Sequence, residues 1–417
     1  INSAQRAARG DLSTYFETVR MLSTRHHELI DALVTDLARR SQVRQEVDHL
    51  ISDFTNFCQA VHVLGEASPR ALDSISGLGE RLSVRVLAAA VENTARRAQF
   101  VDSTQLVLTD THFQNAAPDM PATIQRTRKV LDPILDAGFI PVVTGFLGAT
   151  PGGVTTTLGR GGSDYSASIL AVALQAQEVW IWTDVNGVMT ADPRIVPEAM
   201  TIPIISYREV AEMAYFGAKV LHPKSIHPVI EAGIALRVCN TFNPEHPGTR
   251  LVSERDSNGI GKIKAVAAIR GLQLVTVAGA GMMGVPGIAG RIFGAVASAG
   301  ISVPLIIQST SEQRVCFAVP TERVGEVTRV LQTHFVDEFQ RGDIDQVLTS
   351  EDVGVITIIC PGLHETPGVA GQIFTTLGES GINILGITFG TSEISINLIL
   401  RAADLDTSVR ALHSLIN

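Results

Sequence analysis

The sequence predicts an α/β domain on a mainly parallel sheet, followed by two smaller α+β units of βαββαβ pattern. Three observations lead there. Apolar strand-like runs alternate with helical segments through the first part of the chain, and a Pro-Gly block recurs late in it. Of the 417 residues, 45% are hydrophobic and only 18% charged, enough apolar material for a large core.

From Ala4 to Ser68 apolar residues such as Leu22, Leu29, Leu33 and Leu37 recur at three- or four-residue spacing between charges, which predicts a helical hairpin or bundle edge. Asp73–Thr94 continues as an apolar-faced helix containing Gly79-Glu80. Ser103–Leu108 reads as a short strand, Pro121–Ala137 as a helix, and Ile140–Phe146 as a buried strand with a glycine near its end. The helix Ser163–Leu174 and the apolar strand Glu178–Asp184 follow. In a parallel α/β sheet ligands collect at the carboxyl ends of strands, so the loops after Phe146 and Thr183 are the places to look.

Asn243–Lys262 is rich in Pro, Gly, Ser, Asn and charge, the composition of a linker. Beyond it, Pro286-Gly287-Ile288-Ala289-Gly290 recurs 81 positions on as Pro367-Gly368-Val369-Ala370-Gly371. Gly300-Ile301 and Ser311-Glu312 return at the same offset, as Gly381-Ile382 and Ser392-Glu393, so a fold unit is duplicated. Thr321–His334 and Asp404–Leu415 are the second helices of the two copies. One copy has too little core to stand alone, so copies are expected to pair within or between chains.

A net charge of −9 gives no bulk attraction to nucleic acid or to anionic lipid, and neither is expected as a partner. The longest uncharged stretch, Ala137–Gly159, carries six Gly, two Pro and five Thr, a composition unsuited to a membrane helix. Cys58, Cys239, Cys316 and Cys360 form no CxxC pair, so neither a zinc site nor a disulfide framework is expected, and a reducing cytoplasm is the default location. The chain has no initiator Met and opens in a helical pattern, so it is expected to begin inside a domain.

The densest chemical signal is Thr155–Ser166. Three threonines, glycines around Arg160, and Ser163-Asp164 opening an apolar helix bring hydroxyls, backbone N–H groups and a helix N-terminus toward one point, which suits an anion. The alternative is a glycine turn capped by Ser163 or Asp164. In Thr183–Arg194, Asn186-Gly187 and Asp192-Pro193 set two turns over a strand end, where a nucleotide could be gripped; otherwise they are turn formers beside a solvated Arg194. Phe216–Pro223 places Lys219 in an apolar run, suited to a phosphate or simply snorkelling; His222 reads as structural. Glu80 is either an ammonium ligand or a surface glutamate.

Together, Gly79-Glu80-Arg81-Leu82-Ser83, Thr156–Asp164, Thr183–Arg194 and Phe216–Pro223, in that order and ahead of a duplicated βαββαβ unit, resemble the aspartate kinase family. The resemblance implies an amino-acid-kinase (carbamate-kinase-like) sandwich over 1–255 and tandem ACT domains over 256–417, at about 272–345 and 350–417. It implies transfer of the ATP γ-phosphoryl group, with Mg2+, to the side-chain carboxylate of L-aspartate. That carboxylate, with an ordinary pKa near ~3.9, needs no general base. By resemblance Arg160 clamps the substrate α-carboxylate and Glu80 the α-ammonium, with Phe146, Gly161, Gly162 and Ser163 around the substrate. Asp164 and Lys219 are the implied catalytic residues, Asp164 orienting a lysine; Thr183, Asp184, Met189, Arg194 and Lys219 are the implied nucleotide ligands.

An allosteric amino acid, threonine or lysine, is expected at Val285, Gly287, Ile288, Ala289, Gln308 and Ser309, and a homodimer through the ACT domains. The family further implies that one ACT unit is inserted in the other, with a strand near Gly271–Gly279 pairing with the C-terminal repeat. The long helical N-terminal segment favours the branch that holds lysine-sensitive kinases, plant kinases and kinase–homoserine dehydrogenase fusions, and Ile306–Glu312 looks most like the threonine-sensitive fusions. Departures are the family's Lys-Phe-Gly-Gly-Thr-Ser strand, which has no counterpart here and predicts weak catalysis, Gly77-Leu78 for a serine-aromatic pair, Met189 for a tyrosine, and Phe389 opposite Gln308. Rival readings are a kinase for another acidic amino acid and a non-catalytic amino-acid sensor.

Overall fold

The computed structural model describes residues 1–215, 221–253, 261–308, 313–390 and 394–416. Four helices come first: α1 (Asn2–Ala8), α2 (Ser13–Leu33), α3 (Leu37–Leu64) and α4 (Pro69–Glu92). Asp36 and Ser68 cap α3 and α4 by accepting the N–H groups of Arg39 and Ala71. The α/β elements follow: β1 (Ala98–Val101), α5 (Met120–Asp136), β2 (Ile140–Val143), β3 (Leu147–Ala149), β4 (Thr155–Thr157), α6 (Gly162–Leu174), β5 (Glu178–Thr183), β6 (Ile204–Ser206), α7 (Tyr207–Tyr215), α8 (Pro223–Glu231), β7 (Ala235–Asn240) and β8 (Thr249–Val252). The rest is β9 (Ala265–Ala278), α9 (Ile288–Ser298), β10 (Leu305–Gln308), β11 (Arg314–Pro320), α10 (Val324–His334), α11 (Val336–Arg341), β12 (Gln346–Ile359), α12 (Val369–Glu379), β13 (Gly386–Phe389), β14 (Ser395–Arg401) and α13 (Leu405–His413).

The chain divides into two units, Ile1–Ile181 with Leu221–Arg237, and Trp182–Val220 with Val238–Asn417. In the first, α2, α3 and α4 bury Val43, Val47, Phe54, Ile75 and Leu82 in one helical core. The parallel pair β1–β2 and the antiparallel pair β3–β4 are backed by Leu131 of α5, Leu158 and Ile169 of α6.

Three expectations are corrected here. Ser103–Leu108 is not a strand: the Asp102 carboxylate takes the Thr104 N–H and hydroxyl at 3.0 and 2.7 Å, which winds Ser103–Gln105 into a tight turn and leaves the strand at β1. The strand after α5 stops at Val143 and is only half-buried, with Ile140 37% exposed; the Thr144 hydroxyl is taken by Ser103, and Phe146 turns into the left-handed region at φ 68°. Within the segment read as a linker, Thr249–Val252 forms β8, parallel to β6, with Thr249 Oγ1 donating to the Ile202 carbonyl at 2.7 Å.

In the second unit, β9 and β12 are long antiparallel partners with register shifts near Thr349 and Val353. Leu272–Ala278 of β9, with β10, β11 and the first part of β12, carries α9 and α10 over a core of Val277, Ile292, Phe317 and Leu331. Ala265–Ile269 pairs with Val355–Ile359 and, with β13 and β14, carries α12 and α13 over Ile358, Ile373, Ile396 and Leu412. Both copies are thus βαββαβ, and the first is inserted in the second. The strand that completes the C-terminal copy is Ala265–Ile269, upstream of the Gly271–Gly279 segment expected to do so; Leu272–Ala278 belongs to the first copy and meets Gln346–Val353. Ala191 and Val196 belong to the core of the C-terminal copy, so the loop after β5 is packed into it.

Candidate active site

The first unit gathers the anion-receiving loop around the N-terminus of α6. Gly159 and Gly161 lie in the left-handed region, at φ 79° and 70°. Gly161 is the N-cap, and no side chain caps the helix, so the reading of a turn capped by Ser163 or Asp164 does not hold. The Ser163 and Asp164 N–H groups have no acceptor among the described residues and point outward with the positive end of the helix dipole.

Close approaches demand the glycines. A Cβ on Gly145 would lie 3.1 Å from Ser163 Oγ, one on Gly162 2.6 Å from the Phe146 ring, and one on Gly161 2.5 Å from Ser225 Oγ. Glu80, on α4, accepts the Gly145 N–H at 3.1 Å, so Glu80, Phe146, Gly161, Gly162 and Ser163 are brought together. Burial pushes the Glu80 carboxyl up from its ordinary value, against the lowering effect of that hydrogen bond. Burial also raises Asp164, which has no cationic partner among the described residues.

Arg160 is exposed and has no carboxylate partner among the described residues. Beside it, α8 adds features the sequence reading missed. His222 caps α8 by accepting the Lys224 N–H, consistent with a structural role, and burial, with the Arg160 and Lys224 cations near, pushes its imidazole below the usual value. Lys224 Nζ donates to Asn115 Oδ1 at 2.9 Å, and Ser225 Oγ donates to the Gly161 carbonyl at 2.8 Å. The signal available for Lys224 was its place two residues after His222, next to Pro223.

Also missed was Asp73, 1% exposed in the second turn of α4. Its carboxylate accepts the Gln114 N–H at 2.9 Å, the Thr157 N–H at 3.0 Å and the Thr157 hydroxyl at 2.8 Å. It lies seven residues before Glu80, hence on the same helix face, which was the legible clue.

The second unit holds the loop after β5. Thr183 Oγ1 donates to Asp184 Oδ1 at 3.1 Å, and a cavity of about 710 Å³ is lined by Asp184, Met189, Asp192 and Arg194, with Val266–Arg270 of β9 opposite. Arg194 is 75% exposed yet clamped by Asp192 at 2.5 and 2.9 Å, which holds the Asp192 carboxyl below the usual carboxylate range. Thr190 is the hub of the loop. Its N–H and carbonyl bond Met200 and Val266 at 2.8 Å, and its hydroxyl meets the Met200 N–H and His413 Nε2 at 2.9 Å.

Lys219 and Ser309 lie outside the described residues, as does the side chain of Gln308. Val285, Gly287, Ile288 and Ala289 stand at the start of α9, whose N-cap is Gly287 at φ 83° with no side-chain cap; Gly368 does the same for α12 at φ 91°. Among the described residues no group of three or more His, Cys, Asp or Glu is placed to hold a metal ion, and no helix is long and apolar enough to cross a membrane.

An α/β unit with an uncapped glycine-arginine loop is joined in one chain to paired βαββαβ modules, and this combination marks a family. The amino acid kinase family model matches residues 8–240, and the ACT domain model matches 275–335 and 356–415. Over 387 residues the chain is 35% identical to the chloroplastic bifunctional aspartokinase/homoserine dehydrogenase 2 of Arabidopsis thaliana, covering 91% of this chain and 42% of that protein. It is 32% identical to lysine-sensitive aspartokinase 3 of Escherichia coli, over 92% of this chain and 83% of that one. The structure of E. coli aspartokinase III in complex with aspartate and ADP superposes with a TM-score of 0.82 at 30% identity, covering 99% of this chain and 90% of that one. The chain belongs to the aspartokinase family. It spans about two-fifths of the length of the bifunctional relatives it matches.

The raised Glu80 carboxyl has a checkable consequence. Its folded-state pKa lies above its unfolded value, so the ionised form costs stability at neutral pH, and that cost disappears once the group is protonated in both states. Glu80→Gln should therefore raise the melting temperature at about pH 7.5, by a margin that shrinks toward about pH 4.5. Circular dichroism melts across this range test it; a drop at the higher pH would contradict the assignment.

Proposed function

We propose that this chain is an aspartate kinase, transferring the γ-phosphoryl group of ATP to the side-chain carboxylate of L-aspartate under feedback control by an amino acid. The observation that carries the reading is the convergence, in one unit, of Arg160, a half-buried Glu80 and the N–H groups of Ser163 and Asp164, Arg160 and those N–H groups having no partner among the described residues. A cation and an anion held on either side of a helix N-terminus suit an α-amino acid with an additional carboxylate better than a plain diacid. The E. coli relative with aspartate and ADP supports the same assignment.

Arg160 takes the α-carboxylate and Glu80 the α-ammonium. The side-chain carboxylate is already ionised, so no residue has to remove a proton. What the site supplies is charge compensation: N–H groups at the start of α6 and the cations Arg160 and Lys224, with His222 neutral so that it adds no further charge. Asp164 orients a cationic group rather than acting as a base. The cavity lined by Asp184, Met189 and Arg194 is of a size for a nucleotide, with Thr183 and Lys219 completing its ligands. With no carboxylate cluster among the described residues, Mg2+ would be carried on the phosphates of the nucleotide, where it supplies charge neutralisation.

The domains are 1–255 and 256–417, and the effector, lysine or threonine, binds at the α9 N-terminus between Val285 and Ala289 with Gln308 and Ser309. Dimerisation uses the end strands β10 and β13, which expose Ile306, Ile387 and Phe389. The regulatory signal has a route in the second unit. One face of α7 carries Glu209, Glu212 and Tyr215, each three residues from the next. Glu209 pairs with Lys264 at 3.1 Å, Glu212 accepts from Ser395 Oγ at 2.9 Å, and Tyr215 donates to the Pro304 carbonyl at 3.1 Å. These partners lie just before β9, on β14 and just before β10, and the residue after Tyr215 begins the Phe216–Lys219 motif.

Two measurements test this reading. Loss of a charge-assisted bidentate contact is worth about 1.5–3 kcal/mol, so Arg160→Ala should weaken L-aspartate binding by about 10- to 100-fold and leave ADP within about twofold. Calorimetry reads both, and equal losses would remove Arg160 from the substrate clamp. In Glu212→Ala and Tyr215→Phe, the effect of L-lysine or L-threonine on ADP affinity should shrink while each ligand still binds alone; undiminished coupling in both variants would remove α7 from the route.

A further inference from the structure

Asp73 is a buried carboxylate with no cation bonded to it among the described residues, on a helix that also buries Leu72, Ile75 and Leu78. Each of its oxygens accepts twice. Oδ1 takes the Gln114 N–H at 3.1 Å and the Thr157 hydroxyl at 2.8 Å, and Oδ2 takes the Gln114 N–H at 2.9 Å and the Thr157 N–H at 3.0 Å. Only a carboxylate offers acceptors on both atoms; an amide would turn an NH2 group toward a backbone N–H whichever way it flipped. Without the carboxylate, the Gln114 N–H, the Thr157 N–H and the Thr157 hydroxyl would lose this acceptor, so its bonds fix where those two residues stand.

They hold both ends of the amino-acid clamp. Thr157 is the last residue of β4 and stands three positions before Arg160. Its carbonyl accepts the Ala116 N–H at 2.9 Å, and the next residue, Leu158, donates its N–H to the Phe146 carbonyl at 2.9 Å. Gln114 sits in the left-handed region at φ 70°, an unfavourable conformation for its type, and the Asp73 carboxylate receives its N–H there. The following residue is Asn115, whose Oδ1 receives Lys224 Nζ and would be 2.9 Å from a Cβ on Gly159. Two turns along the same face of α4 is Glu80, bonded to Gly145. One carboxylate therefore ties the helix that presents Glu80 to the strand that presents Arg160 and to the loop that seats Lys224.

From this juxtaposition we infer that Asp73 is a positioning residue for amino-acid recognition, setting the separation of Glu80 and Arg160 without touching substrate; the inference rests on the aspartate kinase reading above. A residue that served stability alone would affect both ligands of the enzyme alike. A positioning residue affects the amino acid selectively.

The test is calorimetric titration of the whole chain with L-aspartate and, separately, with ADP, for the unsubstituted protein, Asp73→Asn and Thr157→Val. In Asp73→Asn the dissociation constant for L-aspartate should rise at least about tenfold while that for ADP stays within about twofold. Thr157→Val removes one hydroxyl bond and keeps the N–H bond, so it should show the same selectivity at about threefold, and it decides the matter if Asp73→Asn does not fold. Unchanged L-aspartate affinity in the folded variants, or parallel loss of both ligands, overturns the inference. Failure of the unsubstituted protein to bind L-aspartate at all is a distinct result: it overturns the aspartate kinase reading and, with it, the role given to Asp73.

Discussion

The first unit depends on how closely the Gly145-Phe146 turn approaches the N-terminus of α6. Side chains at 161 or 162 would collide with a neighbour and one at 145 would be tightly crowded by Ser163, and without that approach Glu80 on α4 would not reach the same place as Ser163. Steric exclusion is therefore the organising constraint, and the charges follow from it. Because no side chain among the described residues caps α6, its leading N–H groups remain available, and Arg160 has no carboxylate partner among the described residues. The cost is visible in the raised pKa of Glu80 and Asp164, two carboxylates kept half-buried without cations of their own among the described residues.

A different principle governs the second unit, where the loop after β5 is built into the regulatory fold. Ala191 and Val196 pack in the core of the C-terminal ACT copy, and Thr190 is bonded on all sides, to Met200, Val266 and His413. The His413 imidazole, pushed below its ordinary value by burial, makes this a contact between neutral groups. Sharing of β9 and β12 between the two copies adds a second restraint, since neither sheet can shift without the other strand half. Together with the three polar contacts of α7, these links give the aspartate kinase reading a physical route for feedback, carried by packed elements rather than by a flexible tether.

Much of this was legible in the sequence, and the exceptions have physical reasons. Glycines flanking Arg160 announced a backbone that must turn tightly and stay open, and the repeat at constant offset announced the duplicated fold. For Asp73 only its place on the helix face of Glu80 was legible; its role lies in partners 41 and 84 positions away, which no local pattern announces. The pairing of Thr190 with His413 spans 223 positions and was hidden for the same reason. Ser103–Leu108 misled because its apolar end fits a strand, whereas the preceding Asp102 offers the backbone a competing acceptor. β8 was hidden inside a stretch of turn-forming residues, since a four-residue strand is too short for its alternation to stand out.

The central claim is that the first unit reads an amino acid by its two α-groups, with Arg160 on the carboxylate and Glu80 on the ammonium. Its most direct test is competitive calorimetry with L-aspartate and succinate, which share two carboxylates and differ by the ammonium group. The account predicts saturable L-aspartate binding and succinate weaker by at least about tenfold, because succinate leaves the Glu80 carboxylate unpaired. Equal affinities would contradict it, since a site indifferent to the ammonium group would not be using Glu80 to recognise its substrate.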